Sequence, residues 1–484
     1  MPLLNIRIIL IVVMISLLCA WRTTLREQVL LHFYRKIQRL SLVRPSEEDV
    51  FEGALEGMTA KLREDKYGDR YSHFENPQDQ TALHDQLIND LVGLGVLLEM
   101  NEKTHDVLLF PLPKSPALEA GVKYGDQLLK INGKEIKGLT LRDLSSKLQG
   151  EEGSKILLSV RRADSENHQE NELEIEVART RQRLPSVTGD RFSRDGTWNY
   201  TLETAPEIGY LGIRTTFSDT TAEEVRQALE SLEKTNAKGV ILDLRNNLGG
   251  YLNAAIDVCN LFLNEGIIVS TTTEIVLGDA PTEKPGFSEI VLSAAKRAIW
   301  HKPVVVLINQ DSASAAEIVA ACLQDHQIAT VVGSRSYGKG TVQEMAELPF
   351  QLGTVRLTKA QYLRPSRKNI NRTPTMTDAD TWGVTPNDDC TVDLTPRQEN
   401  ALNRLRKLRM IVPQKDFFKQ TEQLLQRIRA EESELSNGEK KFDADAKNPK
   451  ETERQEPSEL IGNAPYYDPQ LDKAAECLRN KINE

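Results

Sequence analysis

The sequence predicts a mixed α/β core carrying an inserted β-rich domain, with helical segments at both ends. Three observations predict it. Two short, continuous apolar runs, residues 239–244 (GVILDL) and 303–308 (PVVVLI), each lead into a helix-like segment, as buried strands of a helix-covered sheet do. Between residues 93 and 180 the chain changes to short apolar runs punctuated by Gly and Pro, with Asn132-Gly133 as a tight-turn pair. Residues 25–90 instead place Val29, Leu30, Phe33, Ile37 and Leu40 at helical spacing.

The elements follow in order. Leu3 to Trp21 is apolar apart from Arg7 and is followed by Arg22, Arg26, Arg35, Lys36 and Arg39, which reads as a signal peptide or an uncleaved anchor and implies export, a buried N-terminal helix being the other reading. Asp69 to Phe74 is a turn-rich break. Residues 139–148 predict a helix and 155–161 a strand. Gly209 to Ile213 predicts a strand. Thr221-Ala222-Glu223-Glu224 reads as a capping box opening a helix that runs to about Lys234. Residues 251–263 predict a helix, a second helix starts near Ala315, and 330–332 predict a strand. Past 396 the chain is charged and helix-prone. Residues 431–456 read as a flexible linker, and 468–482 as a final short helix. The domain expectation is therefore 1–22 signal or anchor, 23–90 helical region, 91–183 β-rich domain, 184–395 core and 396–484 charged extension.

Composition excludes several classes. Over 484 residues, 61 Lys and Arg against 71 Asp and Glu leave a net charge of −10, which argues against a general nucleic-acid binder. No apolar run after residue 21 approaches the length of a membrane span, so a multi-span membrane protein is excluded. Five cysteines lacking CxxC or Cys/His spacing exclude a zinc ribbon and a dense disulfide scaffold. The seven histidines form no HExxH, and neither a metal nor another cofactor is expected.

Four places carry possible chemistry. Asp311-Ser312-Ala313-Ser314-Ala315-Ala316-Glu317 follows the PVVVLI strand and opens a helix, whose free N–H groups can stabilise an oxyanion beside an exposed serine. Ser314-x-x-Glu317 is equally a capping box. Gly338-Lys339-Gly340 places a lysine between two glycines. A buried, neutral lysine can take a serine's proton, and a phosphate contact or a solvated turn lysine is the other reading. No GxxxxGK[ST] precedes it, which excludes a P-loop. Asp243 to Gly250 (DLRNNLGG) ends a strand with paired glycines, through which backbone N–H groups can approach a substrate or simply form a turn. Gly93-Leu94-Gly95-Val96 precedes a strand and could hold a chain-terminal carboxylate on its amides.

Taken together these segments resemble the carboxyl-terminal processing peptidases, tail-specific serine proteases with an embedded PDZ domain. The resemblance runs over roughly residues 50–395. Asp69-x-Tyr71-Ser72-x-Phe74 is similar to the family's DPYS element, and Ser115 to Gly133 to its PDZ signature. Asp243 to Gly250 is similar to DLRxNxGG, with Leu248 where proline is common. Ser312 to Glu317 is similar to SASAxE, and Val332 to Gln343 to VGxxTxGKGxVQ. Lys339 stands 25 residues after Ser314, and Gln343 four after Lys339, as the family's spacing requires.

The resemblance implies a serine endopeptidase with Ser314 as nucleophile, Lys339 as general base and Gln343 holding Lys339. It implies an oxyanion hole from Ala315 N–H and a glycine N–H of Gly249 or Gly250, with Gly249 favoured. Ser312 breaks the Ser-to-Lys spacing, and Asp243, Arg245 and Glu317 are expected as supports. Leu94, Gly95 and Val96 would bind substrate tails, so the implied partners are proteins with apolar C-termini. An adaptor, a membrane contact through the N-terminal segment and an oligomer are further possible associations. The implied location is the periplasm or cell envelope. Residues 184–200 and 371–382 depart from the family as insertions. Two other classes compete: a PDZ adaptor with an inactive protease domain, and a structural envelope protein anchored by residues 3–21.

Overall fold

The computed structural model describes residues 24–64, 67–80, 87, 90–100, 104–163, 170–192, 197–214, 216–275, 286–409 and 468–484. The expected leader and the run 431–456 lie outside the described residues. The chain divides into two units. One takes in residues 1–81 with 343–359, the other 82–342 with 360–484.

In the first unit, α1 (Leu25–Leu40) and α2 (Glu47–Leu62) each open on a capping box. The Thr24 hydroxyl accepts from Glu27 N–H and the Ser46 hydroxyl from Asp49 N–H, while each acidic side chain accepts from its cap's backbone. A short strand β1 (His73–Glu75) follows. The turn before it is organised by Asp69, whose carboxylate accepts from Tyr71 N–H, Ser72 N–H and the Thr358 hydroxyl. This turn is the DPYS-like element, and its carboxylate serves as a turn-former.

The second unit begins with β2 (Asp90–Gly93), then β3 (Val96–Met100), β4 (Val107–Pro111), helix α3 (Pro116–Glu119), β5 (Asp126–Ile131), β6 (Lys134–Glu135), α4 (Leu141–Leu148), β7 (Lys155–Ala163), β8 (Glu170–Ala178) and β9 (Thr180–Arg183). The main sheet runs β3-β4-β5-β7-β8, with β6 on β5. Leu94, Leu109, Leu128, Leu144, Leu158 and Val177 form its core. Asn132 and Gly133, both at positive φ, make the turn that Asn-Gly predicts. Among the described residues β3 is an edge strand, paired with β4 on one side. The entering and leaving segments, β2 and β9, pair with each other as a two-stranded ribbon.

The core follows: β10 (Val187–Thr188), the hairpin β11 (Arg191–Phe192) and β12 (Trp198–Asn199), β13 (Ile208–Ile213), α5 (Thr221–Lys234), β14 (Gly239–Asp243), α6 (Leu252–Cys259), β15 (Ile267–Ile275), β16 (Gly286–Ser293), β17 (Val304–Ile308), α7 (Ala315–Asp325) and β18 (Ala329–Gly333). Four parallel strands, β13-β14-β17-β18, form the central sheet, with β10 antiparallel at one edge. Side chains alternate between its two faces. Val240, Leu242, Val304 and Val306 meet α5, α6 and α7. Ile241, Val305 and Leu307 point the other way and meet the last helix of the chain. β19 (Thr341–Glu347) and β20 (Thr354–Leu363) form a hairpin. Thr354 to Arg356 pair with β1, and Gln361 to Leu363 with β15. Past the core, the described residues include α8 (Pro396–Arg409) and α9 (Pro469–Asn483).

The expected capping box at Thr221 and Glu224 is not formed. Helix α5 starts at Thr221 itself, capped by Thr220 without a side-chain bond. The Glu224 carboxylate is drawn away to tertiary partners, accepting from Val187 N–H, the Ser186 hydroxyl and the Thr220 hydroxyl. The helix expected over 251–263 is shorter, Leu252–Cys259, with turns beyond it.

Candidate active site

Ser314 stands between β17 and α7 at φ 55° and ψ −114°, a conformation non-glycine residues rarely adopt. Three contacts hold it there. Ala313 N–H donates to Asn247 O at 2.9 Å, Ser314 N–H donates to the Glu317 carboxylate at 2.9 Å, and Ile318 N–H donates to Ser314 O at 3.0 Å. Ala315 is the first residue of α7, so its N–H has no acceptor within the helix.

The glycine pair lies against this turn. Gly249 has φ +107°, and a Cβ there would stand 2.7 Å from Ser314 Cβ and 3.2 Å from Ala315 N. Only glycine fits the approach. Asn247 shapes the loop. Its side chain donates to Ile213 O and accepts from Gly249 N–H, both at 2.8 Å. The Gly249 N–H is therefore engaged. Gly250 N–H donates to no group among the described residues, while its neighbour Tyr251 donates to Phe217 O.

Lys339 sits in a turn that the same carboxylate organises. Glu317 is fully buried. One of its oxygens accepts from Ser314 N–H and from Lys339 N–H, the latter at 2.8 Å. The other accepts from Gly338 N–H at 2.7 Å and from the Ser336 hydroxyl at 2.5 Å. Burial pushes the Glu317 carboxyl up from its ordinary value, and the four donors oppose that shift. The serine turn and the lysine turn are thus fixed to one side chain. Gly338 and Gly340 admit a further segment: Arg372 N–H donates to Gly338 O at 2.9 Å, and a Cβ on Gly340 would stand 2.3 Å from Asn371 N. That segment belongs to the expected insertion 371–382. Its Trp382 ring is stacked by the Arg372 and Arg335 guanidiniums at 4.2 and 4.6 Å.

Ser312 is buried and has a structural task. Its hydroxyl donates to Leu244 O at 2.9 Å and accepts from Asn309 N–H at 3.0 Å, joining the ends of β14 and β17. Asp243 and Arg245 form a fully buried pair at 2.6 Å. Burial alone would raise the Asp243 carboxyl, and the surrounding Arg245, Arg406 and Arg214 hold it well below the usual range. Arg245 continues to Asp468 at 2.9 Å, and Asp468 to Arg406 at 2.9 Å. Asp468 caps α9, so a charge network runs from the glycine loop to the last helix. No motif marked Asp468 in the sequence. An aspartate before a proline-led helix is the available signal, and it identifies a cap rather than this partner.

Gln343 is the third residue of β19. In the β-rich domain, Leu94 is a core side chain, so only its backbone remains for recognition. Gly95 has φ +63°, and its carbonyl accepts from Leu112 N–H. Val96 starts the edge strand β3. Among the described residues no three His, Cys, Asp or Glu side chains gather as a metal site would need, and no helix is long and apolar enough to cross a membrane.

Residues 207–387 match the model of peptidase family S41, and residues 111–162 match that of the PDZ domain. The chain is 32% identical to the carboxy-terminal processing protease CtpA of Bacillus subtilis, over 70% of this chain and 65% of that one. It is 34% identical to a carboxyl-terminal-processing protease of Synechocystis, over 67% of this chain and 69% of that one. It is 31% identical to a carboxy-terminal-processing protease of Bartonella bacilliformis, over 70% of each. Among solved structures it is similar to a photosystem II D1 C-terminal processing protease, at 25% identity and a TM-score of 0.40, covering 77% of this chain and 94% of that one.

Proposed function

Because the chain belongs to peptidase family S41 and carries a PDZ domain, we propose that it is a Ser-Lys endopeptidase that selects substrates by their C-terminal tails. One observation carries the reading. The strained Ser314 turn and the Lys339 turn share the buried Glu317 carboxylate, and the Gly249-Gly250 loop closes against Ser314.

An unfolded tail adds to the open edge of β3, its carboxylate near the Leu94, Gly95 and Val96 amides. Lys339 takes the proton of the Ser314 hydroxyl as the oxygen attacks a peptide carbonyl upstream, a role that requires its amine to be unprotonated. The oxyanion is held by Ala315 N–H and a donor from the glycine loop. Because Gly249 N–H already serves Asn247, Gly250 N–H is the donor left to give. Lys339 returns the proton to the leaving amine. Water then hydrolyses the acyl-enzyme by the reverse sequence, with Gln343 steadying Lys339. The β2–β9 ribbon, through which the chain enters and leaves the PDZ domain, supports a gating movement of that domain. The apolar leader at 1–22 supports work in an exported compartment, on envelope or other exported proteins.

The test incubates residues 24–484, Ser314→Ala and Lys339→Ala separately with an unfolded protein ending in apolar residues. Products are read by intact mass. Cleavage by the unsubstituted protein alone is expected. Cleavage that survives Ser314→Ala overturns the assignment.

A further inference from the structure

Two of the five cysteines face each other away from the candidate active site. Cys390 is fixed to the central sheet: its carbonyl accepts from Gly333 N–H at the end of β18, and Val392 N–H returns to Gly333 O. Cys477 lies on α9, beside the Ala474, Ala475 and Leu478 side chains that cover the sheet. The two sulfurs are 3.4 Å apart. Cys390 is buried and Cys477 is partly exposed.

We propose that Cys390 and Cys477 are oxidised to a disulfide that fastens the C-terminal helix to the central sheet. A disulfide needs its sulfurs about 2.05 Å apart, so small side-chain rotations suffice to join them. The oxidant is an external disulfide, either oxidised glutathione or the active-site disulfide of a thiol oxidoreductase. Cys477 Sγ, the accessible sulfur, loses its proton and attacks that disulfide. A mixed disulfide forms, and the first external thiolate leaves and is protonated. Cys390 Sγ, losing its proton, then attacks Cys477 Sγ, and the second external thiol leaves. Two protein thiols are oxidised and one external disulfide is reduced. Burial, with the Cys477 thiol beside it, pushes the Cys390 thiol up to about 12, which suits the resolving rather than the initiating role.

The bond has a structural purpose. Helix α9 covers one face of the sheet and supplies Asp468 to Arg245, yet only residues 410–467 join it covalently to α8. The bond closes the loop between Cys390 and Cys477, 87 positions apart in the chain, and closing it restricts the unfolded chain far more than the folded one. The other adjacent pair, Cys259 and Cys322, is wholly buried and serves as an internal control, since no exchange partner reaches it in the folded state.

The test equilibrates the full chain with oxidised and reduced glutathione, blocks free thiols with an alkylating agent in denaturant, and maps the digest by mass spectrometry. The expected result is a Cys390–Cys477 cross-linked peptide lighter than its reduced parts by two hydrogens, with Cys259 and Cys322 alkylated. A Cys477→Ser variant lacks the cross-link. Thermal unfolding of the oxidised protein is expected at a higher temperature than that of the reduced protein, and at equal temperatures for Cys477→Ser. Recovery of both cysteines alkylated, or of Cys477 only as a glutathione adduct with Cys390 alkylated, overturns the proposal.

Discussion

Replacing Glu317 with glutamine tests whether one carboxylate aligns the two halves of the site. The wild-type side chain only accepts, and it receives four donors: Ser314, Gly338 and Lys339 N–H and the Ser336 hydroxyl, at 2.5–2.9 Å. Glutamine is nearly isosteric but presents an NH₂ on one side. That group faces two donors, whichever way the amide turns. If it faces Ser314 and Lys339 N–H, both the serine turn and the lysine turn lose their acceptor. If it faces Gly338 N–H, the lysine turn alone loosens, since the Ser336 hydroxyl can rotate. A buried donor left unsatisfied costs about 1–3 kcal/mol. One or two such donors give a destabilisation of about 1–6 kcal/mol, which thermal or denaturant unfolding measures. A displacement of the reacting atoms of about 1 Å costs on the order of 10²-fold. The assay is steady-state cleavage of an unfolded, apolar-tailed substrate at a temperature where circular dichroism shows the variant folded. Expected is a fall in kcat near 10²-fold with KM little changed, since the proposed tail-binding strand β3 is not among the groups that Glu317 holds. A folded Glu317→Gln variant with unchanged kcat would refute the reasoning.

Two other perturbations separate alignment from stability. Gly249→Ala puts a Cβ 2.7 Å from Ser314 Cβ at a φ that alanine resists, so the serine turn must shift and cleavage should fall on the order of 10²-fold, as for a displacement of about 1 Å; a folded, fully active variant would contradict the close packing. Asp468→Ala leaves Arg245 buried without one of its carboxylates, for which about 3–5 kcal/mol of stability is expected to be lost, read by denaturant unfolding. The same group sets an acid limit. Burial opposes its ionisation, and Arg245 and Arg406 outweigh burial to hold its carboxyl below the ordinary 3.8. A carboxyl depressed in this way binds fewer protons folded than unfolded, so its contribution is complete above 3.8 and is lost as pH falls toward the folded value. Unfolding free energy should therefore drop below about pH 4, with a shallower slope in Asp468→Asn.

Much of this molecule is readable along the chain because the relevant physics is local. GVILDL and PVVVLI announce strands buried on both faces. Asn132-Gly133 announces its turn, and the serine and lysine turns are marked by glycines and by a helix start. The capping box read at Thr221 and Glu224 failed for a non-local reason, since Glu224 instead accepts from Ser186 and Val187 at the start of β10. Glu317 was legible as a cap and, through the family resemblance, as a support, but not as the acceptor shared by two turns. Its donors Gly338 and Lys339 lie 21 and 22 residues further on, and their convergence needs β18 to return the chain.

The sequence by itself determined the strand and helix periods, the Ser314, Lys339 and Gln343 spacing, and the family resemblance, because each rests on residues near one another or on a motif order. Tertiary structure alone decided what covers the second face of the central sheet. Ile241, Val305 and Leu307 must be buried, and nothing near them in sequence says by what. The cover is α9, capped by Asp468, which Arg245 reaches across 223 residues. Apolar burial and charge pairing are blind to chain separation, so any segment that arrives with the right face and charge can satisfy them. Only the folded chain identifies which segment does.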